Sequence, residues 1–348
     1  MKKTIDASRV VARIGAPLLA LACSVAPLAV QAAPAAPATA AACDRHCISD
    51  IVHQVLTSMP SHDPYRLPLA RVYAATENSH PAALGMMTLW QSVTQAGKPD
   101  LLAIDSVAGQ AFFVTQIGEA GNLSVLWGRV KVVDRKITEL EFFINRSRGD
   151  HGFSFSAKDA PANLQHWTKL PANRVKATRA ELERLSQAAF STDVPYEIEV
   201  DPNCQFLEAG SQIIDPGLGD TPRPGDPNAP LGCMFPPFRP VDKKAREIVI
   251  DEELGIVVDA GMVPGRVYPY PFYGHMISAF IPDQMSEAQQ TQQAWLDKQL
   301  AGDGAPLLKP LPAVGETMQV LQLYNGKLQG LQINVHVIGP DAKSLWVP

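Results

Sequence analysis

Two stretches of alternating character set the hydrophobic pattern of this chain. Residues 246–261 read Arg-Glu-Ile-Val-Ile-Asp-Glu-Glu-Leu-Gly-Ile-Val-Val-Asp-Ala-Gly. A β-branched run, a short polar loop with Gly255 and a second β-branched run predict a hairpin. Residues 101–114 make a similar move. Ile104-Asp105 leads through a turn to Gly109 and then to the apolar run ending at Val114. In both stretches an Ile-Asp pair is followed four residues later by Gly.

The rest of the pattern switches between helical and strand periods. Ile48, Ile51, Val52, Val55, Leu56 and Met59 recur at helical spacing, so Asp44–Met59 is expected as a helix. Asp44 can cap it, and Pro60 stops it. A strand is expected at Val72–Thr76 and a helical segment at Ala82–Thr94. Strands at 101–105, 110–117, 123–133 and 136–145 then make a meander. Arg148–Ala172 reads as a polar linker. Thr178–Phe190 is a helix opened by a Thr178/Glu181 capping box. Ser286–Leu300 reads as a late helix, and Met318–Tyr324 and Leu328–Val337 as the final strands.

The first half then recurs in order. Pro64-Tyr65 and Pro195-Tyr196 are 131 apart, as are Glu77 and Glu208. Ile104-Asp105 and Ile250-Asp251 are 146 apart, and Lys136-Ile137 and Lys327-Leu328 are 191 apart. The growing offsets fit two insertions in the second copy: a Pro-rich loop at 215–240 and an aromatic segment at 263–312. A tandem duplication explains matched order with explainable gaps. The expected fold class is α+β: two related units, each with helices packed on a curved antiparallel sheet. The boundaries are 43–148 for the first unit, 149–177 for a linker and 178–348 for the second unit.

Composition adds the compartment. The basic start (Lys2, Lys3, Arg9, Arg13), the apolar stretch Ile14–Val30 and Val30-Gln31-Ala32 predict a signal peptide over 1–32. Residues 33–42 form a Pro/Ala leader expected to be disordered. A lipidated Cys23 is the competing reading. No later apolar run reaches the roughly 20 residues of a spanning helix, so no integral membrane segment is expected after signal removal. The net charge of −5 becomes about −8 once four basic residues and Asp6 leave with the signal. That argues against nucleic acid or anionic membrane as partner. Four cysteines remain, an even number that suits an oxidising compartment. Cys204–Cys233 would staple the Pro-rich loop, and Cys43 and Cys47 can pair locally. His46 and His53 lie near the second pair, but no zinc spacing is present, so no metal is expected.

At this point the residues resemble a family. His62-Asp63-Pro64, Thr76-Glu77-Asn78 before Leu84-Gly85, and Cys204 with Glu208-Ala209-Gly210 and Cys233 carry the resemblance. Asp251–Gly255 and Val132 with Ile137-Thr138-Glu139 also fit. The chain is similar to a secreted, functionally uncharacterised group within the nuclear-transport-factor-2-like, or SnoaL-like, cone fold. The resemblance implies a pocket between sheet and helices. It supplies no catalytic residues, because members include isomerases, dehydratases, cyclases, small hydrolases and binding modules.

Candidate chemistry is sparse. Gly217-Leu218-Gly219 sits in a Pro-rich loop, which is the wrong context for a phosphate cradle, and no Gly-x-Ser-x-Gly elbow exists. No cofactor is expected. Asp259 shares a strand face with Val257 and Gly261, so it is a candidate general base on a pocket wall. The bland alternatives are a solvated face or an ion pair with a nearby Arg such as Arg266. His275 follows Tyr268, Tyr270, Phe272 and Tyr273, which suggests a proton shuttle in an aromatic, ligand-binding lid. The alternative is a brace that joins the units, or two chains as a homo-oligomer. His62-Asp63 reads as a turn, and Glu77 and Glu208 as repeated acceptors of backbone N–H groups. Two functions stay open. One is a cofactor-independent acid–base enzyme (isomerase, lyase or hydrolase type) acting on a small apolar organic molecule. The other is a non-catalytic secreted module that binds a ligand or partner. In either case the second unit, with its long loops, is expected to hold the site.

Overall fold

A computed structural model describes residues 43–147, 154–190, 198–213, 233, 246–272 and 274–344. All lie within one compact unit, Ala41–Pro348. The expected signal peptide and leader, most of the Pro-rich loop and Tyr273 fall outside the described residues.

Helix α1 (Arg45–Ser58) starts where Asp44 accepts the N–H of Cys47, and its stripe of Ile48, Ile51, Val52, Val55 and Leu56 is buried. The first sheet follows: β1 (Leu69–Glu77), β2 (His80–Pro81), a short helix α2 (Thr88–Ser92), β3 (Val93–Ala96), β4 (Leu101–Asp105), β5 (Gln110–Glu119), β6 (Asn122–Val133) and β7 (Lys136–Asn145). Helices α3 (Ala160–Thr168) and α4 (Arg179–Ala189) lead to the second sheet. It contains β8 (Glu199–Glu208), β9 (Ser211–Gln212), β10 (Arg246–Asp251), β11 (Ile256–Phe272), β12 (His275–Pro282), β13 (Leu311–Tyr324) and β14 (Lys327–Ile338), with α5 (Ser286–Leu300) between β12 and β13.

The two sheets share a strand order. The first runs β2-β1-β7-β6-β5, with β3 and β4 both on β5; the second runs β9-β8-β14-β13-β11, with β10 and β12 both on β11. Each is mixed. β1 pairs parallel to β7 and β8 parallel to β14, because the opening strand of each half lies beside the strand that closes the meander. Register shifts interrupt both sheets, at Lys131/Val132 in the first and at Gln322/Leu323 in the second. Such bulges bend a strand and increase its twist.

These observations correct the expected α+β class. Strands hold 47% of the structure and helices 24%, in two curved mixed sheets rather than helices packed on antiparallel ones. The reason lies in the cores. One apolar core joins α1 to the first sheet through Phe113, Leu126, Val130, Leu140 and Phe142. The central core is sheet against sheet: Phe112, Val114, Trp127 and Phe143 meet Val249, Val258, Met318 and Val320. A third core sets α4 against the far face of the second sheet through Leu182, Leu185, Val257 and Leu321. Strands buried on both faces leave helices a minor share.

The expected polar linker is also corrected. It contains α3, whose Ala160, Leu164 and Trp167 enter the central core. Trp167 donates its indole N–H to Gln205 at 2.8 Å. A stripe of one apolar residue per turn escaped the polar composition around it. Similarly, the helical segment expected at Ala82–Thr94 resolves into a 3₁₀ turn, the five-residue α2 and β3.

Candidate functional site

Asp259 sits on β11 in the stretch that pairs with both β10 and β13, opposite Glu247 and Gln319. Alternation along the strand turns Val257 and Asp259 to the α4 side. Asp259 is fully buried. Among the described residues neither of its carboxylate oxygens has a hydrogen-bond partner, and neither does Oε1 of Gln319 beside it. Burial pushes the pKa of Asp259 up to about 7; Ser186 on α4 tempers the shift and Glu247 adds to it. The Ser186 hydroxyl is the donor set against this carboxyl, outside ordinary hydrogen-bond geometry. A buried carboxyl poised near neutrality, with its oxygens uncommitted, can take up or release a proton or hold a donor group.

One face of the first sheet is filled by rings. There Phe113 on β5 lies opposite Gly128 on β6, and Gly128 lies opposite Phe142 on β7. A Cβ on Gly128 would stand 2.2 Å from the Phe113 ring, so the missing side chain makes room for it. Trp90 packs edge-on against Phe142 with ring centroids 5.7 Å apart. In the second sheet Asp259 lies opposite Gln319, and Gln319 opposite Ile333.

His275 lies elsewhere. It opens β12 at an exposed turn, in register with Phe272. Phe272 is thirteen positions beyond Asp259 on the same strand, a path of roughly 40 Å. Asp259 and His275 therefore do not meet. The aromatic segment is a hairpin arm: β11 pairs with β13 only as far as Val267, and beyond it with β12 alone. Tyr268 is buried and Tyr270 half-buried. Helix α5 backs the arm, with Gln292 donating to the carbonyl of Pro269 and Gln289 to that of Ile281. A groove of about 360 Å³ runs between Pro269, Met276, Ile277 and Ser278 of the arm and the loop Pro306–Leu308. Neither Tyr268 nor Tyr270 lines it.

Sequence reasoning missed a second polar cluster, between the sheets. Arg129 on β6 is 3% exposed and binds Glu141, Glu139 and Gln110. Glu141 on β7 and Glu316 on β13 are both buried, and each keeps one oxygen unpartnered among the described residues. Burial pushes Glu141 up to about 8 against the pull of Arg129, and Glu316 adds to the rise. Ser79 donates to Glu316, and Asn145 donates to Asn334 at 3.0 Å. The signal was a pair of charges at alternate positions, Glu139 and Glu141, on a strand whose next three residues, Phe142, Phe143 and Ile144, are apolar.

The repeated Ile-Asp pair proves reciprocal. Asp251 takes both guanidinium nitrogens of Arg45, at 3.1 and 2.7 Å, and the N–H of Ile104. Asp105 takes both nitrogens of Arg179, at 3.1 and 2.8 Å, and the N–H of Ile250. Each aspartate also caps its own turn, Asp105 through Val107 and Ala108 and Asp251 through Glu253 and Leu254. Burial works against ionisation of Asp105, but Arg179 and the turn N–H groups outweigh it and hold the carboxyl below its usual range. Glu77 accepts the N–H groups of Thr88 and Leu89, and Glu208 that of Ser154, the backbone role expected for both.

Both expected disulfides are present, Cys43–Cys47 and Cys204–Cys233. They are compatible with an extracellular or periplasmic protein. No described helix is long and apolar enough to cross a membrane. Among the described residues no three His, Cys, Asp or Glu side chains are grouped to hold a metal ion.

No family model matches the chain, and no curated protein matches it. Among solved structures, a de novo designed protein with a curved β-sheet is similar to 36% of this chain over 99% of its own length, at 12% identity and a TM-score of 0.26.

Proposed function

We propose that this is an exported protein of duplicated build whose second sheet binds a small organic molecule against Asp259, while the first sheet serves as scaffold. The duplication is supported by register. An offset of 146 relates Asp105/Gln110 to Asp251/Ile256. Offsets of 146 and 191 relate the pair Ala111/Val130 to Val257/Leu321, and offsets of 131 and 191 relate Glu77/Phe142 to Glu208/Ile333. The same offsets carry Phe113, Gly128 and Phe142 onto Asp259, Gln319 and Ile333. The similarity to the secreted cone-fold group belongs to this reading.

One observation carries the functional part. Where the first sheet buries an aromatic ring over a glycine, the second buries a carboxylate with no partner for either oxygen among the described residues. An unpaired buried polar group costs about 1–3 kcal/mol. A sequence that only needed a core here would carry an apolar side chain, as the first sheet does.

A second reading, a cofactor-independent acid–base enzyme on a small molecule, is favoured by the position of the Asp259 pKa at about 7. It requires Asp259 to act without His275. A small-molecule library screened by ligand-detected NMR, followed by turnover assays on each hit, tests both. The binding reading expects hits that Asp259→Leu abolishes and Phe113→Leu leaves intact. Consumption of a hit at a rate lost in Asp259→Asn would favour the enzyme, and hits indifferent to Asp259 would sink both.

A further inference from the structure

The proposed site offers a ligand three oxygens beside two sources of donors, the Ser186 hydroxyl and the amide NH2 of Gln319. Asp259 Oδ1 and Oδ2 and Gln319 Oε1 are all buried and lack a hydrogen-bond partner of ordinary geometry among the described residues. The two side chains occupy facing register positions on neighbouring strands, which sets their Cβ atoms about 5 Å apart. The charged neighbour that bears on Asp259 is Glu247, which adds negative potential. Around them the α4 side of the sheet is apolar: Val257, Leu321, Leu182 and Leu185 belong to the same core. A proton on Asp259 supplies a single donor and leaves two acceptors empty.

We propose that the ligand of this interior is a small organic cation, an amine or amidine, whose N–H groups fill the acceptors of Asp259 and Gln319. The inference rests on the reading that the second sheet's interior is the binding site. An ammonium carries three donors and an amidinium four, enough for all three oxygens. Its charge pairs with the carboxylate in a low-dielectric setting, where charge-assisted bonds are strongest. A neutral alcohol brings one donor. A carboxylate brings none and meets Asp259 and Glu247 as like charges.

Calorimetry on the full-length exported protein with matched probes tests this: isobutylamine, isobutanol and isobutyrate, then benzylamine, benzamidine, benzyl alcohol and benzoate. The amines and amidine are expected to bind at least tenfold more tightly than the alcohols, with no binding of the acids. Their affinity should rise between pH 6 and pH 8 as Asp259 gives up its proton to the solvent. Asp259→Asn should lose at least tenfold and Gln319→Leu a smaller factor, with circular dichroism of both variants unchanged. If an alcohol or acid binds as tightly as the amines and loses affinity in Asp259→Asn, the cation inference is overturned while the site stands. If no probe of any charge binds in a way that depends on Asp259 or Gln319, both are overturned.

Discussion

Asp259 and Glu141 are the two buried carboxyls whose protons decide how stability responds to pH. Glu141 in the folded chain holds its proton up to about pH 8, against 4.5 as its ordinary value. Asp259 holds its own to about pH 7, against 3.8. Between those values the folded state binds more protons than the unfolded one. Their contribution is therefore fully present below about pH 4 and is lost as pH rises through 7 and 8. For Asp259 alone the difference corresponds to about 4 kcal/mol. Urea unfolding at pH 5.5 and pH 8.5 should show the exported protein less stable at the higher pH. Asp259→Asn and Glu141→Gln should each remove part of that loss. A protein equally stable at both pH values would contradict burial as the force that raises these two carboxyls.

The turn glycines make a sharper residue-scale prediction. Gly109 and Gly255 have φ near +65°, and an added Cβ would stand 2.5 Å from the carbonyl oxygen of Val132 and 2.1 Å from that of Leu323. The same two partners donate back to the glycine carbonyls. Alanine at either position should cost about 2 kcal/mol or more, from a strained φ and a clash with backbone, measured by denaturant midpoint.

At the scale of elements, the reciprocal clamps join the hairpins of the two sheets. Asp105 and Asp251 are buried, while Arg45 and Arg179 are partly exposed. Losing a fully buried partner costs about 3–5 kcal/mol; solvent at the arginine ends brings the expectation for Asp251→Asn to about 2. A double-mutant cycle separates the clamps. Arg45→Ala with Asp251→Asn should couple by about 1 kcal/mol or more, and Arg45→Ala with Asp105→Asn should add independently. Equal coupling in both cycles would contradict two separate clamps. The sequence legibility of this region was high. The Ile-Asp…Gly repeat, the helix stripe of α1 and the capping box of α4 are local signals, and local signals survive without tertiary knowledge. The exchange of arginines between halves was not readable, because Arg45 and Asp251 are 206 positions apart. The parallel pairing of β1 with β7 was hidden for the same reason, since strand patterns carry no direction. His275 looked catalytic because aromatic neighbours in sequence suggest a pocket, but β11 runs on past its pairing with β13 and sets His275 far from Asp259.

At the scale of the molecule, the two curved sheets pack face to face through one apolar core, with a polar cluster of Arg129, Glu141 and Glu316 at the same interface. Cys204–Cys233 closes a 29-position span beside the core shared by α4 and the second sheet. Loop-closure entropy puts its contribution at about 3–4 kcal/mol. Cys204→Ser with Cys233→Ser should lower the unfolding free energy by about that much, and Cys43→Ser with Cys47→Ser by less, because its span is shorter. Asp259 was legible as a candidate because strand alternation placed it with Val257. That its oxygens lack a partner of ordinary geometry among the described residues was not, since that depends on contacts between strands and helices far apart in sequence. The central claim is that the second sheet takes a ligand against Asp259 and the first sheet takes none. A fragment titration followed residue by residue in two-dimensional NMR tests it most directly. The account predicts that binding fragments shift the signals of Asp259, Ser186 and Gln319 and leave those of Phe113, Gly128 and Phe142 in place. Shifts centred on the first sheet, with Asp259 and Gln319 silent, would contradict it.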